Sequence, residues 1–153
     1  MRNKLRRGFS LVELMVVIAI ILIIAAIAVG PINDQLLLAR ETAAISNIRT
    51  IQTAQAQYYA QFGSYAASLE ALGPPPGGNK GPQAANLIPR TLAHGLAGGY
   101  LFALHGSETG YTVSATPAKF GSSGRRTFFS DERVTIHENW SAEPASGESP
   151  ELK

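Results

Sequence analysis

The sequence predicts an α+β protein in which one long N-terminal α-helix, membrane-buried in its first half and amphipathic in its second, packs on a small antiparallel β-sheet of about four strands. Three observations lead there. Residues 14–33 form a run of twenty without a charge, about 30 Å as a helix and enough to cross bilayer hydrocarbon. Apolar residues then recur at helical steps as far as Phe62. Beyond residue 98 the pattern changes to short alternating or aromatic runs separated by Gly-rich turns, as strands require. The chain has 153 residues, sufficient for one domain. Its formal charge of +2 includes Arg2, Lys4, Arg6 and Arg7, all ahead of the apolar run; removing those four leaves −2. Cations in that position fit cytoplasmic retention under the positive-inside bias better than a nucleic-acid surface. With no cysteine, disulfides and thiolate metal sites are excluded.

A basic head before an apolar run has three explanations. A secretory signal peptide has a shorter apolar core ending at small residues, whereas this run is longer and continues into helix-competent sequence. A single-pass anchor accounts for the length but leaves Glu13 at the edge of hydrocarbon, where a carboxylate is costly unless it faces headgroup water or meets a partner. The third explanation rests on Arg7-Gly8-Phe9-Ser10-Leu11-Val12-Glu13-Leu14-Met15, followed by Val16-Val17-Ile18-Ala19-Ile20. This segment resembles the processing and assembly signal of type IV pilins and type II secretion pseudopilins. The resemblance implies a pilin-like fold and cleavage between Gly8 and Phe9 by a prepilin peptidase, with N-methylation of Phe9. It further implies that Glu13 pairs with the Phe9 amine of a neighbouring subunit. Such a pair compensates two charges that are expensive when unpaired away from water. The resemblance extends well over residues 6–62 and loosely beyond.

The organisation expected is a leader at residues 1–8, a transmembrane and filament-core helix at 9–33, an amphipathic helix at 34–62, a connecting loop region at 63–97, a β head at 98–140 and a flexible acidic tail at 141–153. A helix kink is expected at Gly30 and Pro31, because proline removes a backbone donor and clashes with the preceding turn. The family commonly has a proline near this point, here one residue later than usual, and Leu22 stands where many relatives have glycine. Leu37, Leu38, Ala44, Ile45, Ile48, Ile51, Tyr58, Tyr59 and Phe62 are read as the apolar stripe, with Glu41, Gln52 and Gln55 on the polar face. Gly63 stops the helix. Brief helical turns are expected within residues 68–72 and 87–94. Strands are expected at 99–105, 111–116, 126–130 and 133–137, the last two joined by a turn at Asp131-Glu132. The tail, rich in Glu, Pro, Ser and Gly, is expected to be mobile or to lie along a neighbour.

No constellation for catalysis stands out, and neither an enzyme nor a cofactor is expected. His94, His105 and His137 are too few and too scattered for a metal site. Asp131 and Glu132 are a weak calcium candidate, lacking several convergent oxygen ligands. Residues 77–81 lack the ending of a phosphate loop. Arg125, Arg126 and Arg133 are read as partners for acids on adjacent subunits, and nucleic acid is not an expected partner. The function expected is a structural subunit that polymerises through its N-terminal helix into a type IV pilus or type II secretion pseudopilus. The alternative is a non-polymerising, membrane-tethered extracytoplasmic binding module. The expected partners are identical or homologous pilin subunits, the prepilin peptidase, an assembly platform in the bacterial inner membrane, and lipid before assembly. The head would lie outside the cytoplasm, then in an extracellular pilus or periplasmic pseudopilus.

Overall fold

A computed structural model describes residues 9–152. The chain divides into two compact units, Met1–Leu36 and Leu37–Lys153. Helix α1, Leu11–Phe62, contributes to both, and its backbone remains helical through positions 30 and 31. In the first unit every described side chain, at 9–27 and 32–36, is exposed.

In the second unit the helix is buried along one line: Leu37, Glu41, Ala44, Ile48, Ile51, Gln55 and Tyr58, with the partly buried Phe62 continuing it. These positions alternate steps of four and three, the repeat that keeps one face of a helix toward its partner. The stripe read from the sequence therefore requires correction. Glu41, Gln52 and Gln55 belong to the buried side, while Leu38 and Tyr59 are exposed. Gly63 ends the helix at φ 74°, its N–H bonded to the Tyr59 carbonyl at 2.8 Å, a left-handed terminus that glycine adopts without a steric penalty.

After two short helices, α2 (Leu69–Leu72) and α3 (Arg90–Ala93), the chain forms a meander of five strands: β1 Leu96–Ala97, β2 Tyr100–Gly106, β3 Tyr111–Pro117, β4 Thr127–Asp131 and β5 Ile136–Asn139. All neighbours are antiparallel, in the order β1-β2-β3-β4-β5. The fifth strand, one more than expected, is the two-residue β1, too short to show any alternation in sequence. Tyr100, Phe102 and Leu104 of β2, with Tyr111, Val113 and Ala115 of β3, face α1 and form the core with Ile48, Ile51 and Phe128. Gly106 lies where a Cβ would meet the Ala66 carbonyl oxygen; only a bare backbone lets the segment after α1 lie on the end of β2.

The β4–β5 connection also differs from the sequence reading. Strand β5 starts at Ile136 rather than Arg133, because Arg133–Thr135 fold into a wider turn. The Asp131 carboxylate accepts the Arg133 N–H at 3.0 Å, and Val134 takes a positive φ of 65°, an uncommon conformation for a β-branched residue. Gln52 holds this turn from the helix: its Nε2 donates to Ser130 Oγ at 2.7 Å and to the Val134 carbonyl at 3.2 Å.

Burial raises the pKa of two core tyrosines. Tyr111 is pushed up from 10.0 to about 12, burial acting first and Tyr65, Asp131 and Glu132 adding to it. Tyr100 is raised further, by burial and then by Glu41. The folded state thus keeps protons that the unfolded chain releases near pH 10. This contribution to stability is complete below pH 10 and is lost as pH rises through about 12. An alkaline titration followed by far-UV circular dichroism should show unfolding in that window, and replacing Tyr111 with Phe should move its onset to higher pH.

Candidate functional site

The first unit presents its chemistry on an isolated helix. From Phe9 to Ile27 each large apolar side chain is solvent-facing, between 43% exposed at Val17 and 79% at Phe9. A continuous apolar surface of this kind requires hydrocarbon or other helices around it. Glu13 is the acid of the first turn of α1, where the unbonded N–H groups favour negative charge. Ser10 precedes the helix by one residue and stands three before Glu13, the spacing of a capping box. The Ser10 carbonyl accepts the Leu14 N–H at 3.2 Å, so the helical ladder begins immediately after Phe9. Among the described residues, no single helix is long and apolar enough to cross a membrane, while Leu11–Ile27 and Ile32–Phe62 taken together meet that test by length and composition.

The second unit is fastened by a charged knot. Arg126, just before β4, donates from Nε to Glu41 Oε2 and from a terminal nitrogen to Glu138 Oε2 of β5, both at 2.8 Å. The Arg125 backbone N–H reaches the other Glu41 oxygen at 2.7 Å. The guanidinium lies 5.4 Å from the Phe128 ring centre and 4.9 Å from that of Trp140, within cation–π range. Burial opposes charge on Arg126, but hydrogen bonds to Glu138 and Glu41, with their charges, raise its pKa overall. Tyr100 donates its hydroxyl proton to the Arg126 carbonyl at 2.9 Å, so backbone and side chain of this residue are both held.

Comparison with known proteins bears on the N-terminal helix. Residues 3–29 match the family described as the prokaryotic N-terminal methylation motif. Over 71 residues, 46% of this chain, it is 34% identical to the type IV major pilin protein PilA of Myxococcus xanthus and 35% identical to a fimbrial protein of Neisseria meningitidis. The chain is thus similar to type IV pilins over part of its length. Its alignment covers less than half of each relative, 32% and 42% respectively.

Phe9 and Glu13 lie in the first unit, Gly8 lies outside the described residues, and at Gly30 and Pro31 only the helical backbone is described. The Asp131 carboxylate is engaged with the Arg133 N–H of its own turn, and no group of three or more His, Cys, Asp or Glu side chains that could hold a metal ion occurs among the described residues. Arg126, read from sequence as an intermolecular partner, is corrected to an intramolecular one. Sequence reasoning also missed Glu41. Its position in the four-three repeat beginning at Leu37 was the available signal; its polarity concealed it.

Proposed function

We propose that this chain is a structural subunit of a type IV pilus or related pseudopilus, made as an inner-membrane precursor with its head outside the cytoplasm. Prepilin peptidase cuts it between Gly8 and Phe9, Phe9 is N-methylated, and the subunit moves from lipid into a filament through residues 9–33. The observation that carries this reading is the wholly exposed apolar helix with one acid, Glu13, in its first turn. The pilin names of the relatives favour a pilus over a pseudopilus, and the methylation motif covers both sides of the proposed cut. On this reading the chain is a structural subunit rather than an enzyme.

In the membrane, the helix terminus partly compensates the Glu13 carboxylate. In the filament, the Phe9 amine of another subunit supplies a full opposite charge. Gly30-Pro31 would allow the helix to adjust between these environments. Intact-mass and N-terminal analysis should find a chain beginning at methylated Phe9. Glu13→Gln retains a side chain suited to a capping box but removes the charge. It should leave insertion and cleavage near normal and reduce filament yield at least about tenfold, as loss of about 1.4 kcal/mol per subunit contact requires. An uncleaved leader together with unchanged association of Glu13→Gln would point instead to a tethered binding module that does not polymerise.

A further inference from the structure

The exposed edge of β5 is occupied. Glu138 donates its N–H to the Pro150 carbonyl at 2.9 Å, and Leu152 donates its own to the Ile136 carbonyl at 2.8 Å. His137 and Glu151 face each other in an antiparallel bridge. These contacts make one isolated antiparallel bridge on the sheet edge, formed by the segment whose composition suggests mobility. The rest of the tail is also placed: Thr127 Oγ1 donates to the Glu143 carbonyl at 2.8 Å, and Ala145 is buried. His137 Nδ1 lies 2.6 Å from the Ser149 carbonyl, and Gly147 passes close to the Phe129 ring.

Two features mark this segment as detachable. It joins β5 through residues 140–148, which contain no helix or strand, and its apolar anchoring is confined to Ala145 and Leu152. None of its contacts with β4 and β5 depends on the tail belonging to the same chain. The open groove beside β5, lined by Arg49, Gln52, Val134, Ile136 and Leu152, carries a cation next to a tail that holds Glu143, Glu148 and Glu151.

We infer that the outer edge of β5 is a strand-acceptor site, filled by residues 149–152 of the same chain when copies are dilute and by the same segment of a second copy when copies are crowded. The connecting nine residues can extend about 30 Å, enough to reach a touching neighbour. A short flexible tether supplies an effective concentration on the order of millimolar. A packed array of copies presents neighbouring tails at a comparable concentration, and mass action then divides the site between the two sources. The inference requires only crowding, so it stands apart from the proposed filament, though a filament is one setting that provides it.

The lack of cysteine in the sequence makes a direct test available. Residues 137 and 151 are bridge partners, and opposed strand positions have the spacing of a disulfide. Full-length His137→Cys/Glu151→Cys chain in detergent should oxidise to an internally closed monomer when dilute. Concentrated detergent samples, and filaments where microscopy shows them, should give disulfide-linked dimers and higher multimers approaching about half of the material. Exclusively internal closure at every concentration would overturn exchange. No disulfide in either condition would overturn the placement of residues 149–152 on the β5 edge, and the proposal with it. A second measurement covers failure of the double variant to fold: a labelled peptide of residues 141–153 should bind full-length chain truncated after Trp140 and be displaced by unlabelled peptide. A peptide carrying Leu152→Asp should bind at least about tenfold more weakly, and equal binding by both peptides would count against the site.

Discussion

Arg126→Ala should destabilise the head by about 3–5 kcal/mol, the usual cost of removing one partner from a buried ion pair. Glu41 is only 4% exposed and the Arg126 side chain 12%, so water cannot readily take over the lost contacts. Alanine would leave two carboxylates, Glu41 and Glu138, without the one guanidinium that bridges them. Glu41 would retain the Arg125 backbone N–H but lose its counter-charge, and Phe128 and Trp140 would lose the planar group between them. Trp140 is the sole tryptophan in the sequence, so urea unfolding of the full chain in mild detergent can be followed by its fluorescence. Arg126→Lys keeps the charge but not the fork that reaches both acids, and should fall between the two.

Gln55→Ala should cost at least about 2–6 kcal/mol for a different reason. Gln55 is wholly buried, its Nε2 donating to the Ala66 carbonyl at 3.0 Å and its Oε1 accepting the Ala66 N–H at 2.8 Å. The side chain thus satisfies both backbone groups of a residue in no helix or strand, itself fully buried. Removing the amide leaves a buried donor and a buried acceptor unpaired, each costing about 1–3 kcal/mol, and opens a cavity as well. Gln55→Leu refills the volume without restoring either bond and should recover only the cavity component. Gln55→Glu can accept the N–H but, when ionised, cannot donate to the carbonyl. Hydrogen exchange at the Ala66 amide, measured beside the unfolding midpoint, distinguishes the two bonds: exchange should accelerate in the Ala and Leu variants more than in the Glu variant.

These two residues show where the sequence was readable. The apolar run after Glu13 carries its helical pattern in neighbours a few positions apart, and so the N-terminal half of α1 is legible. The general layout of helix followed by meander was legible because strand and helix periods differ. Glu41 and Gln55 were assigned to the polar face by residue type, although they continue the repeat of Leu37, Ala44, Ile48, Ile51 and Tyr58. Their polar atoms are satisfied by Arg126 and Ala66, one 85 residues away and the other 11, and neither pairing has a local signature. The contacts of the tail have no local signature either. Its composition gives it no core of its own, but a strand needs only an edge to join, and the β5 edge is invisible until the sheet is assembled.

The knot at Arg126 also compensates for something absent from the composition. Small domains outside the cytoplasm commonly close their longest loops with a disulfide, and this chain has no thiol with which to do so. Arg126 ties the helix at Glu41 to the final strand at Glu138, spanning most of the head with two hydrogen-bonded charge pairs. The closure is electrostatic and therefore indifferent to reduction potential. Folding of the head should proceed equally well with or without a thiol-oxidising catalyst, leaving it independent of the oxidative machinery on which cysteine-stapled surface proteins rely.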